Sequence, residues 1–411
     1  MKFILAFIAG ILMISCISNN TNGKYYLSAE APPNPQPFND ISAAQLVSDI
    51  RTGWNLGNAL DATDYDEKWI FYDSPLSWIE TCWFNPVITK ENVAAIKNAG
   101  FNAIRIPVSW SKAVDRSKTS SRRNYIIRSD WMDRVTEVIN YAVELDLYII
   151  INTHHDEDIF KFKNAQKAES LRAFRIIWEQ IAYNFRNYNE KLIFQGLNEP
   201  RTKGSAAEWA GGTAEERAVI NEYYQVFVDT VRTSGGNNSK RVLMINTYAA
   251  ASTVSSVNDL LIPKDTTPDK IIVSIHLYSP YTFSYGATIV NGAVRTWDKN
   301  NPSDIAPVIE GIDLVYNKFI KAGIPVIIGE YGAEDQNNID ARAGHTEFLV
   351  GYAMSKGIRC FWWDGGHAPV RLEGSASFRI LNRHTNQFVF PQIVTAIMSV
   401  TEDYKSIPSI P

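Results

Sequence analysis

The sequence predicts an α/β fold, a (β/α)8 TIM barrel that forms one domain. Three observations carry this. Short runs rich in Val and Ile recur along the chain, and segments of helical spacing separate them. The runs are near-continuously apolar, the pattern of parallel strands covered on both faces. Finally, a polar or aromatic side chain stands at the C-terminal end of nearly every run, the end where such barrels build their sites.

The predicted strands lie around 53–57, then at "FNAIRIP" (101–107), "LYIIIN" (147–152), "LIFQGLN" (192–198), "RVLMINT" (241–247), "KIIVSIHLY" (270–278), "PVIIGE" (325–330) and "IRCFWW" (358–363). Between them, "ESLRAFRIIWEQIAYNF" sets Leu171, Phe174, Trp178, Ile181 and Phe185 on one helical stripe. Thr213-Ala214-Glu215-Glu216 reads as a capping box that opens another helix. Gly100 and Gly323 stand where helix C-caps are expected, and Pro325 follows the second. A doubly wound open sheet is the alternative, but no G-x-G-x-x-G follows the first strand.

The flanks read differently. "MKFILAFIAGILMISC" (1–16) has the charged start, apolar middle and small-residue end of a signal peptide, and it is too short to span a bilayer. Its last four residues resemble a bacterial lipobox, which makes Cys16 the expected lipidation site of an exported surface lipoprotein; a cleaved secretory signal is the alternative. Residues 17–40 are polar and Pro-rich and read as a tether. The domain is expected over 41–402 and a frayed tail over 403–411. Cys82 and Cys360 are too few for a disulfide scaffold, and Cys360 sits in an apolar run where a buried thiol is expected. A net charge of −4 over 411 residues leaves no basic footprint for nucleic acid. The 11 Trp and 19 Tyr suit ordinary packing, and equally a cleft in which sugar rings stack on aromatic faces.

The strand ends supply the candidate chemistry. They carry Trp54 and Asn58, then Arg105, His154 and His155, Asn198 and Glu199, His276 and Tyr278, Glu330, and Trp363. Glu199 and Glu330 end the fourth and seventh strands, so they face one mouth from opposite sides. Two carboxyl groups across a cleft are the apparatus of glycoside hydrolysis. With six His in the chain and no His-x-His after the first strand, no catalytic metal and no cofactor are expected.

"FQGLNEPR", "GEYG", "NTHHD", "HLYSPY" and "FWWDGG" resemble glycoside hydrolase family 5 cellulases of clan A, and "GWNLGNALDA" with "ETCWFNP" resembles subfamily 4. The resemblance spans roughly residues 45–400. It implies a retaining endo-β-1,4-glucanase with Glu199 as general acid/base and Glu330 as nucleophile. Retention goes with carboxyl groups about 5–5.5 Å apart. Arg105 would set its charge against Glu330, Tyr278 would donate its hydroxyl to the same carboxylate, and His276 would lie beside Glu199. Asn198 would bind the sugar 2-hydroxyl, His154 and Trp363 would line the −1 site, and His155, Asn58, Trp54 and Trp83 would reach further glycone sugars. The chain departs from the family pattern at Phe84, where glycine is usual, and in its own strand-eight loop. Xyloglucan, mixed-linkage glucan (lichenan), xylan and glucomannan therefore remain alternative substrates. A non-catalytic surface glycan-binding lipoprotein is the rival outside enzymes. The expected partner is the polysaccharide alone, met by a monomer.

Overall fold

The computed structural model describes residues 31–63, 73–114, 125–286, 292–367 and 377–402. The signal segment with Cys16, most of the tether, Trp69, the centre of the strand-eight loop and the tail lie outside the described residues.

Eight parallel strands close in chain order into a barrel. They are β1 (Gly53–Leu56), β2 (Ala103–Ile106), β3 (Tyr148–Asn152), β4 (Leu192–Gln195), β5 (Leu243–Asn246), β6 (Ile271–Leu277), β7 (Val326–Tyr331) and β8 (Arg359–Asp364). The apolar runs are near-continuous because both faces are covered. Outward residues such as Ile104, Ile151, Phe194, Val273 and Ile328 pack with the helices in the main core. Inward residues Ala103, Ile150, Ile193, Met244, Ile272, Ile327 and Phe361 fill the lower barrel, and Leu46 and Val47 of the helix Ala43–Asp49, with its C-cap Ile50, join them as a plug. Above this layer the inward side chains turn polar: Asn55, Arg105, Asn152, Gln195, Asn246 and Ser274 are all buried.

The helical signals hold. The helix Lys167–Asn184 buries Phe174, Trp178 and Ile181, with Phe185 buried at its C-cap. The capping box at Thr213 forms with Glu216 in both directions, satisfying two donors at the start of Ala214–Thr233. Gly323 caps in the left-handed region at φ +81°.

One expectation is corrected. The tether does not run free to residue 40. The backbone N–H of Asn39 donates to Glu190 at 2.8 Å, and Asp40 pairs with Lys270 at 2.6 Å and Lys240 at 2.7 Å. Hydrogen bonds from the two lysines pull the Asp40 carboxyl down to about 2. His345 is fully buried on the helix Ile339–Ser355, and its Nε2–H donates to the Ser279 carbonyl. Burial pushes its imidazole down to about 4, so it stays neutral. Cys82 and Cys360 are both buried and are not joined in a disulfide, as Cys360's apolar setting suggests. Among the described residues no helix is long and apolar enough to cross a membrane.

Candidate active site

The polar layer of the barrel converges on Arg105, which is fully buried. Its Nε donates to Gln195 Oε1 (2.7 Å), one terminal nitrogen donates to Asn55 Oδ1 (2.8 Å) and Glu330 Oε1 (2.7 Å), and the other donates to Asn198 Oδ1 (2.7 Å). One guanidinium therefore ties the ends of β1, β4 and β7. The amides are held in turn: Gln195 Nε2 donates to Asn246 Oδ1, and Asn246 Nδ2 donates to the Asn198 carbonyl, both at 2.7 Å.

Glu330 faces inward because β7 breaks its alternation. Ile328 and Tyr331 both pack outward, and the register with β6 and β8 shifts between them, so that Glu330 pairs with His276. The extra residue at Gly329–Glu330 acts as a bulge that re-aims a side chain into the mouth. Gly329 is needed there, since a Cβ would lie 2.7 Å from Ser274 Oγ. The second oxygen of Glu330 accepts the Tyr278 hydroxyl at 2.9 Å. Burial, and then the negative charge of Glu330, push the Tyr278 phenol well above its usual range, so it is a firm donor.

Glu199 follows β4. Its Oε1 lies 2.8 Å from His276 Nδ1, its Oε2 lies 3.4 Å from the Arg201 guanidinium, and a carboxylate oxygen lies within 4.8 Å of one on Glu330. Burial favours the neutral acid. The His276 hydrogen bond, and then the electrostatic influence of His276, Arg201 and His155, outweigh it and hold Glu199 below the usual carboxylate range.

An aromatic wall lines the other side. Trp363 is half-buried and parallel to His154, at an interplanar angle of 3° and a centroid distance of 5.8 Å. Gly57 makes room for it, since a Cβ would sit 2.6 Å from the indole. Burial, reinforced by the charges of His155 and Arg105, drives the His154 imidazole well below its usual range and keeps it neutral. Its Nδ1 faces the amide of Asn152 and its Nε2 that of Asn198. His155 meets His154 edge-on at 4.3 Å and Trp83 at 5.6 Å, and Trp83 Nε1 donates to the Thr63 carbonyl. Asn58 is half-buried at the mouth, where its carbonyl accepts from Asn85.

All but two of the expected contact residues therefore border the cleft. Trp54 is corrected: it is fully buried on the outer face of β1, with Nε1 donating to Asp364 Oδ2 at 3.1 Å. Strand alternation turns it outward, away from Asn55. Arg105 stands against Glu330 as expected, but no part of it is exposed, so it supports the carboxylate from beneath and does not touch substrate. Sequence reasoning missed Asn55, Gln195 and Asn246, although polar residues closing otherwise apolar runs are a readable signal. It also missed Arg201 and Trp209. Trp209 is 61% exposed, and Arg201 stacks on one face of its ring at 4.5 Å while reaching Glu199. Asp61, His154 and His155, and separately Glu199, His276 and Glu330, are close enough to share an ion. In the first group, however, both Asp61 oxygens already accept backbone N–H groups, from Asn58 and Ala59.

A closed parallel barrel with two carboxylates this close at its mouth defines a class, the hydrolases that cleave glycosidic bonds with a pair of acids. Residues 63–369 match the model of the cellulase family, glycosyl hydrolase family 5, and the chain belongs to that family. It is 40% identical over 359 residues to the cellulase/esterase CelE of Acetivibrio thermocellus, a match covering 87% of this chain and 40% of that protein, so the chain spans less than half of that relative. With endoglucanase A of Ruminococcus albus it shares 39% identity, over 87% of this chain and 93% of the relative. The structure of a broad-specificity endoglucanase from Ruminococcus champanellensis with bound cellotriose, described as GH5-4, superposes with a TM-score of 0.81 at 40% identity, over 88% of this chain and 100% of that one. A family 5 lichenase from Caldicellulosiruptor superposes with a TM-score of 0.81 at 36% identity, over 92% and 98% of the two chains.

The arginine hub gives a direct expectation. Arg105→Met leaves Glu330 as a buried charge with its cation removed and orphans three amide acceptors, so the barrel loses about 3–5 kcal/mol. Urea denaturation followed by circular dichroism measures this. Unchanged stability would mean that the network does not bind the strand ends together.

Proposed function

We propose that this protein is a retaining endo-β-1,4-glucanase acting on cellulose-type β-glucans. The observation that carries the reading is the approach of the two carboxylates to within 4.8 Å. Oxygens this close suit the roughly 5–5.5 Å carboxyl spacing of a double displacement, in which one acid attacks and the other protonates. Mixed-linkage glucan is the second substrate, supported by the likeness to a lichenase and to a broad-specificity endoglucanase.

Glu330 is the nucleophile. Arg105 and Tyr278 each hold one of its oxygens, which fixes the carboxylate plane for attack on the anomeric carbon. Glu199 protonates the departing oxygen. Once Glu330 is esterified its negative charge is gone, so Glu199 ionises more readily and can take a proton from the incoming water. Asn198 has its amide oxygen committed to Arg105, so it offers N–H to the sugar 2-hydroxyl. Trp363 is the stacking platform of the −1 sugar, and neutral His154, parallel to it, lines the same site. An internal bond needs sugars held on both sides of the cut. The wall of His155, Trp83 and Asn58 serves the glycone side, and Trp209, backed by Arg201 beside the acid, serves the aglycone.

Reducing-sugar release from carboxymethylcellulose, lichenan, xyloglucan, xylan and glucomannan tests this. Wild type should cleave the β-1,4-glucans, and Glu330→Gln should lose at least about 10³-fold in kcat, the scale of removing a covalent nucleophile. Undiminished activity in Glu330→Gln would refute the assignment, and tight binding without cleavage by wild type would favour a binding protein. The pH profile offers a second check. Arg201 helps hold Glu199 low, and the acid must be protonated to act. Removing that charge with Arg201→Met raises the Glu199 pKa and moves the alkaline limb of kcat/KM to higher pH. A limb that stays put or moves down would contradict the role of Glu199. Anchoring through Cys16 is inferred from residues 13–16 alone. Cys16→Ala should release the protein from the membrane fraction of the expressing cell, and retention there would rule the anchor out.

A further inference from the structure

Phe84 is held in a conformation that its own chemistry opposes. Its φ is +65°, in the left-handed region. For a bulky L-residue this conformation is unfavourable, and glycine would avoid the strain. Burial does not recover the cost, because the residue is 56% exposed. Backbone and solvent therefore both argue against phenylalanine at this position.

The neighbours locate it. Trp83, on one side, is fixed by its hydrogen bond to Thr63 and lies 5.6 Å from His155. Asn85, on the other, is buried and donates to the carbonyls of Asn58 (2.9 Å) and Gly365 (3.1 Å), while its Oδ1 accepts from the His367 backbone (2.8 Å). The Phe84 N–H itself is spent on the Thr81 carbonyl. These bonds pin its backbone to the rim where the loops after β1 and β8 meet. Trp83 precedes Phe84 and Trp363 lies two residues before Gly365, so this rim adjoins the aromatic wall; in the closed barrel, β1 and β8 stand opposite β4, which Glu199 follows.

We propose that Phe84 is a stacking platform for a distal glycone sugar, extending the cleft by one glucosyl unit beyond those held by Trp363 and Trp83. The proposal rests on the glucanase reading above. An exposed aromatic ring offers a flat apolar face to a pyranose, and backbone strain at a cleft rim persists where a ligand contact is the return.

The test is binding in a Glu330→Gln background, where calorimetry compares cellopentaose with cellotriose. Phe84→Gly should shrink the affinity advantage of the longer sugar roughly 2- to 10-fold. Phe84→Trp should restore it. The Phe84→Gly protein should also melt no lower than its parent, since glycine relieves the strain. An unchanged affinity ratio would overturn the proposal. So would a marked fall in melting temperature, which would make Phe84 a structural part of the loop. The readout is binding, so it holds whether or not wild type cleaves glucans; failure of wild type to cleave any of them would remove the glucanase reading instead.

Discussion

The guanidinium of Arg105 is the interaction on which the site depends. It sits where the apolar floor of the barrel gives way to the polar layer, and its donors reach three strands and the loop that carries the proposed acid. A buried cation is costly unless fully hydrogen-bonded and paired. Glu330 supplies the pairing, and the Asn55, Gln195 and Asn198 oxygens supply the rest. The requirement works both ways, because the arrangement that makes Arg105 tolerable also fixes Glu330 in one orientation.

Around that hub the two carboxylates occupy different settings. Glu330 is clamped by a cation and a phenol, while Glu199 shares His276 with it and meets Arg201 on the outer side. This asymmetry lets two like groups, with oxygens within 4.8 Å of each other, take different parts in one reaction. The cleft is polarised in the same way. One flank is a run of rings, Trp363, His154, His155 and Trp83, and the other carries a guanidinium and an exposed indole. A sugar chain laid across the mouth would therefore meet different chemistry on each side of the cut.

Local preference yields to the site in two places. The bulge in β7 gives up regular pairing to turn Glu330 inward, and Phe84 accepts a left-handed backbone at the rim. Elsewhere local and global preferences agree, as in the capping box at Thr213 and the left-handed Gly323.

Much of this was legible in the chain. Eight two-face-covered runs mean a parallel barrel, and the residues ending them had to share one rim, so Glu199, Glu330, His276, Tyr278 and Trp363 could be grouped from order alone. Tertiary structure decided which way each side chain turns. Trp54 and Asn55 are adjacent in sequence, and strand alternation sends the first into the outer core and the second to Arg105. The Glu330 bulge depends on register with two neighbouring strands, which one strand's sequence does not encode. Trp209 and Arg201 lie on a loop with no periodicity, so only folding could bring them to Glu199. The sequence by itself determined the barrel and the inventory of its rim. The distances that separate support from contact, and a buried arginine from a substrate ligand, arose when the barrel closed, because they depend on side chains from strands far apart in the chain.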